Sequence, residues 1–180
     1  MKVLESPLPG AFILQPQVFG DARGFFLESY NEKVFASLGI RDRFVQDNHS
    51  YSRRGVLRGL HYQVQKAQGK LVRVIEGEIL DVFLDIRRSS PSFGRWHSVK
   101  LSGDNRLMVW IPVGFAHGFQ VLSECVHVLY KSTEFYAPEL ERTILWNDPA
   151  LKISWDNTLE LTLSEKDKKG LRFRDAEVFE

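Results

Sequence analysis

Short apolar stretches separated by turn residues run along most of the chain. Residues 78–87, EILDVFLDIR, alternate most clearly. On an extended strand Leu80, Val82, Leu84 and Ile86 share one face, while Asp81, Asp85 and Arg87 share the other. CVHVLYK (125–131) alternates in the same way and groups Val126, Val128 and Tyr130. LMVWIP (107–112) reads as a short apolar strand ended by Pro112. Turn signals lie between such stretches at FGDARG (19–24), SSPSFG (89–94) and LSGDN (101–105). This spacing predicts an all-β sandwich or barrel. Helical spacing is confined to two places. In NEKVFASLG (31–39), Asn31 is the N-cap, Val34, Phe35 and Leu38 form one face, and Gly39 is the stop. LSEKDKKG (163–170) predicts a short helix opened by Ser164. No repeat, low-complexity tract or linker interrupts the pattern, so one domain over residues 1–180 is expected.

Composition narrows the function classes. The 180 residues are 43% hydrophobic and 26% charged, with a net charge of +1. That balance argues against a nucleic-acid binder, which needs a basic face. No apolar run approaches the ~20 residues of a membrane span. MKVLESPLPG has no apolar core of a secretion signal, and Cys125 is the single cysteine. A cytoplasmic protein without an intrachain disulfide is therefore expected.

The candidate chemistry starts at His61, in GVLRGLHYQVQKAQGKLVRVIEG (55–77). A second histidine, His117, lies in PVGFAHGF (112–119) in the pattern P-x-G-x-x-H. These two histidine-bearing strands resemble the paired motifs of the cupin superfamily, which implies a cupin-type jelly-roll barrel with the motifs facing each other across its interior. Many cupins hold a metal through H-x-H and a glutamate of the first motif and a histidine of the second. Here Gln63 stands at the second histidine of H-x-H, and the acidic position within QVQKAQGK (63–70) is empty. His61 and His117 remain, whereas a catalytic metal wants three protein ligands. No metal and no other cofactor is expected. Taken alone, His61 also fits a core histidine with its hydrogen bonds satisfied.

Seven blocks occur in order: GDARGFFLES (20–29), FVQDNHS (44–50), VLRGLHYQ (56–63), AQGKLVRV (67–74), IPVGFAHGF (111–119), LYKSTEFYAPE (129–139) and ILWNDP (144–149). As a set they resemble the dTDP-4-dehydrorhamnose 3,5-epimerase family over nearly the whole chain. The resemblance implies a thymidine diphosphate sugar with a ketone at carbon 4 as substrate. Protons at carbons 3 and 5 are acidified by that ketone. Inversion needs a base, an acid on the opposite face and a cation near the developing oxyanion.

The same resemblance implies the roles. His61 is the base, Asp167 the carboxylate that orients it, Tyr130 the opposite acid, and Lys70 the cation near the ketone oxygen. Arg23, Glu28, Gln46, Asp47, Asn48, Arg58, His117, Glu141 and Lys166 are implied as substrate contacts. Tyr136 is implied as the ring that stacks on thymine. From the residues alone, Asp167 equally fits a helix-opening residue three positions after Ser164. Arg58 and His61 lie three apart and point to opposite faces of a regular strand. They share a pocket only if Gly59 marks a bulge, or else Arg58 sits at the rim or meets a neighbouring subunit. The resemblance further implies a homodimer whose N-terminal strands bring Arg23 and Glu28 to the partner's site. Two rival functions are an epimerase acting at one of the two carbons and a non-catalytic cupin that binds a sugar nucleotide.

Overall fold

A computed structural model describes all 180 residues. In chain order the strands are β1 (Lys2–Glu5), β2 (Phe12–Gln15), β3 (Val18–Asp21), β4 (Gly24–Leu27), β5 (Gln46–Arg53), β6 (Leu57–Gln63) and β7 (Lys70–Glu76). They continue as β8 (Glu78–Asp85), β9 (Trp96–Ser102), β10 (Met108–Ile111), β11 (Phe115–Val121), β12 (Cys125–Ser132) and β13 (Glu141–Thr143). Two short helices are α1 (Glu32–Ser37) and α2 (Glu165–Lys168). A six-stranded sheet in the order β1-β2-β10-β7-β12-β5 faces a five-stranded sheet in the order β13-β6-β11-β8-β9. This is the jelly-roll arrangement implied by the paired histidine motifs, with the short helices at its periphery. β3 and β4 form a separate hairpin.

Both helices open as their sequences predict. The Asn31 side chain accepts from the Lys33 and Val34 N–H groups, and Gly39 follows the last turn at a φ of 91°, a left-handed value that glycine adopts without a steric penalty. Ser164 caps α2 by accepting from the Asp167 N–H.

Three apolar clusters hold the layers. Val72, Val74, Phe83, Phe115, Phe119 and Val128 pack between the sheets. Leu57, Leu60, Val82, Leu84, Ile86 and Trp155 join the outer face of the five-stranded sheet to the C-terminal segment. Leu14, Phe35, Leu71 and Trp110 seat α1 on the six-stranded sheet. β8 is therefore covered on both faces. Its alternation is as the sequence reads, but the polar face looks inward: Asp81 and Asp85 are both fully buried. Asp85 is satisfied by Arg87, Ser90 and Ser92. Asp81 faces His117.

Candidate active site

A cavity of about 810 Å³ opens between the sheets. One wall is built by β6 and β11. Their register pairs His117 with His61 but Phe119 with Arg58, so β6 carries one extra residue across a β-bulge. The bulge falls at Gly59, whose φ is 116°. A Cβ there would lie 2.5 Å from the Gly118 Cα and 2.7 Å from the His117 carbonyl oxygen. Only glycine permits that backbone contact. The extra residue turns Arg58 to the same side as His61, and both line the cavity. Arg58 donates to Ser52 Oγ at 3.0 and 3.1 Å and to the Tyr51 carbonyl at 3.3 Å, which aims its guanidinium.

α2 delivers Asp167 to His61. Asp167 Oδ1 lies 2.5 Å from His61 Nε2, and it also accepts the Gly59 N–H at 3.3 Å. Oδ2 accepts the Ser164 hydroxyl at 2.7 Å. Helix-opening residue and partner of His61 are thus one side chain. Burial alone would raise the Asp167 carboxyl, but the hydrogen bonds from His61, Ser164 and Gly59 outweigh it and hold it at about 2. His61 moves below the ordinary imidazole value, because burial disfavours the imidazolium more than Asp167 favours it. A neutral ring facing an ionised carboxylate donates Nε2–H and keeps its lone pair on Nδ1. The nearest carboxylate to Nδ1 is Glu141, whose Oε1 is 4.0 Å away. Glu141 Oε2 accepts from Tyr136 OH at 2.9 Å and from Lys166 Nζ at 2.7 Å. Burial pushes the Glu141 carboxyl up, but Lys166, His61 and Tyr136 prevail and keep it below its usual range.

The facing wall belongs to the other sheet. β5, β7 and β12 contribute Gln46, Asn48, Ser50, Lys70 and Tyr130. Burial lowers Lys70 to about 8, with Glu141 and Asp81 opposing that shift only through space. Burial raises the Tyr130 hydroxyl, Glu141 adds to this, and Arg58 opposes it. At neutral pH Tyr130 therefore carries its proton and Lys70 its charge. His61 and Tyr130 stand on opposing sheets.

The second histidine has its own partner. His117 Nε2 lies 2.7 Å from Asp81 Oδ2, and both side chains are buried. Each imidazole is turned to its own carboxylate. Gln63, two residues past His61, spends its amide on backbone groups of Lys66, Phe135 and Ala137. No three His, Cys, Asp or Glu side chains are placed to share a metal ion.

Three predicted contacts lie outside this cavity. Asp47 is turned away by strand alternation, between Gln46 and Asn48 on β5. It pairs with Lys131 Nζ at 2.9 and 3.1 Å on the outer face. Its side chain therefore lies outside this cavity. Arg23 sits at the tip of the β3–β4 hairpin, 90% exposed and paired with Asp21. Glu28 is exposed beyond the hairpin, where it accepts from Asn31 at 3.1 Å. Conversely, Ser50 and Gln68 line the cavity without having been predicted. Ser50 shares the face of Gln46 and Asn48 by simple alternation in QDNHS, so its position was legible. Gln68 lies between strands, where no periodicity places a side chain.

Comparison with known proteins places the site in a family context. A family model described as dTDP-4-dehydrorhamnose 3,5-epimerase matches residues 5–175. The chain is 56% identical over 180 residues to a dTDP-4-dehydrorhamnose 3,5-epimerase of Pseudomonas aeruginosa, covering 99% of each protein. It is 52% identical over 181 residues to the enzyme of the same name from Shigella flexneri, again covering 99% of each. Among solved structures, a dTDP-6-deoxy-D-glucose-3,5-epimerase of Legionella pneumophila in complex with dTDP-4-keto-L-rhamnose superposes with a TM-score of 0.95. The identity is 48%, covering 98% of this chain and 94% of that one.

Proposed function

The chain belongs to the dTDP-4-dehydrorhamnose 3,5-epimerase family, and from that premise we propose how its residues divide the reaction. The enzyme is an isomerase that converts dTDP-4-dehydro-6-deoxy-D-glucose to dTDP-4-dehydro-L-rhamnose. His61 Nδ1 takes the proton from carbon 3 or carbon 5. The C–H electron pair moves onto the ketone oxygen, where the Lys70 ammonium stabilises the enolate. Asp167 keeps Nε2 protonated and supports the imidazolium that forms. Tyr130 gives its hydroxyl proton to the same carbon from the other face; solvent reprotonates Tyr130 and takes the proton from the His61 imidazolium before the second centre reacts. The single observation that carries this reading is the placement of the His61 imidazole and the Tyr130 phenol on opposite sheets of one cavity.

Arg58 and Lys166 suit the diphosphate, since guanidinium and ammonium groups are its natural partners. Gln46, Asn48, Glu141 and His117 supply further polar contacts to the sugar nucleotide, and Tyr136 stacks on the thymine. We assign Arg23 and Glu28 to the site of a second subunit. They lie away from the cavity of their own chain, on or next to a hairpin that exposes Phe19, Phe25 and Phe26 at 55%, 57% and 69%. Such an apolar patch fits a homodimer contact. Residues 1–180 act as one domain in this reading, since the cavity draws on Gln46 and Asp167 alike. No helix is long and apolar enough to cross a membrane, and the free Cys125 suits a reducing cytoplasm.

Incubating enzyme and substrate in heavy water tests the reaction. Deuterium at both carbon 3 and carbon 5 of the product is expected. Label at one carbon would establish the single-centre epimerase instead, and an enzyme that exchanges neither proton would be a binding module.

A further inference from the structure

Three glutamines converge on the short segment that carries Tyr136. Gln63 is 3% exposed, and its Oε1 accepts the Ala137 N–H at 2.8 Å. Its Nε2 donates to the Phe135 carbonyl at 3.2 Å and to the Lys66 carbonyl at 2.8 Å. Gln46 Oε1 accepts the N–H of Tyr136 itself at 3.0 Å. Gln68 Nε2 donates to the Glu134 carbonyl at 3.0 Å. The segment lies between β12 and β13, outside either sheet ladder. Its backbone groups on both sides of Tyr136 are therefore held by side chains. The orientation of the Gln63 amide follows from its partners: an N–H only donates and a carbonyl only accepts. A neutral imidazole has one donor and one acceptor, so histidine at this position cannot make the same three bonds.

We infer that Gln63, assisted by Gln46, is a positioning residue for nucleotide recognition: it fixes the Tyr136 ring in place before the base arrives. The inference rests on Tyr136 being the thymine platform. Half-exposed on a segment outside the sheets, an unheld ring would lose conformational freedom on stacking. A ring already held loses less, and the difference enters the affinity. The motif position that carries a metal ligand in other cupins here serves the nucleotide.

The test is a double-mutant cycle read by calorimetric binding of dTDP. Gln63→Glu keeps the side-chain shape but points a carboxylate oxygen at two carbonyl oxygens. It is expected to raise the Kd for dTDP about tenfold, and Tyr136→Ala about tenfold or more, as loss of one base–aromatic stack does. In the double variant the Gln63 change is expected to add less than about twofold, because the platform it serves is gone. In turnover the Gln63→Glu loss should fall on KM rather than kcat. An unchanged Kd in Gln63→Glu while Tyr136→Ala weakens binding would overturn the inference. So would two effects that multiply in the double variant. If Tyr136→Ala itself binds dTDP like the wild type, the platform reading fails first and the inference with it. Should Gln63→Glu not fold, Gln63→Met keeps the side-chain length without a charge and removes the bonds to Lys66, Phe135 and Ala137. It is expected to give a smaller rise in Kd that likewise vanishes in the Tyr136→Ala background, and a rise that persists there would overturn the inference.

Discussion

At the scale of residues, the chemistry depends on which groups carry protons near neutrality. His61 has to be neutral to accept one, and burial lowers it below its ordinary value. Lys70 has to be charged to stabilise an enolate, and burial brings it down to about 8. The signs give a bell. Activity is lost as pH falls through the lowered His61 value, because the base becomes protonated. It is lost again as pH rises through about 8, because the ammonium disappears. Asp167, held at about 2, stays ionised throughout, and Tyr130, raised above its ordinary value, does not titrate on the alkaline limb near 8. The profile of kcat/KM reports the free enzyme. It should show an acid limb below the usual histidine value of roughly 6.5 and an alkaline limb near 8. Replacing Lys70 with Met should remove the alkaline limb and lower kcat on the order of a hundredfold. A Lys70→Met enzyme with wild-type kcat would show that the enolate is stabilised by another group.

At the scale of elements, β6 decides whether the site exists. Sequence periodicity places Arg58 and His61 on opposite faces, and Gly59 is the only hint that they share one. The register of β6 against β11 supplies the missing fact, and register is a property of two strands, not of one sequence window. The same limit applies to β8. Its alternation is visible in EILDVFLDIR, but only the C-terminal cover makes the Asp81 face the interior one. Asp47 shows the converse case. Its neighbours Gln46 and Asn48 line the cavity, and a period of two already excludes it from their face. The Asp167–His61 contact joins residues 106 apart, a separation over which local pattern carries no geometry. Gly59→Ala tests the bulge. The added methyl would meet backbone of β11 at 2.5 Å in a left-handed conformation. A loss of roughly 1–3 kcal/mol in stability should accompany a fall in kcat/KM of about a hundredfold or more, as misplaced catalytic groups produce. Wild-type activity in that variant would mean that the bulge does not unite Arg58 with His61.

At the scale of the whole molecule, two arrangements matter: one chain against a second, and one sheet against the other. If Arg23 serves a partner's cavity, mixing inactive Arg23→Ala and His61→Ala chains should restore activity. Random pairing gives about half mixed dimers with one intact site each, or about a quarter of wild-type activity. A mixture as inactive as its components would return Arg23 to its own chain. The central claim concerns the two sheets, which set His61 and Tyr130 on facing walls so that a proton leaves one face of the sugar and returns to the other. Tyr130→Phe in heavy water tests it most directly. With the base intact and the far-side donor gone, the variant is expected to wash deuterium into carbon 3, carbon 5 or both while inverting neither at more than about a hundredth of the wild-type rate. Full inversion by the Tyr130→Phe enzyme would contradict the account.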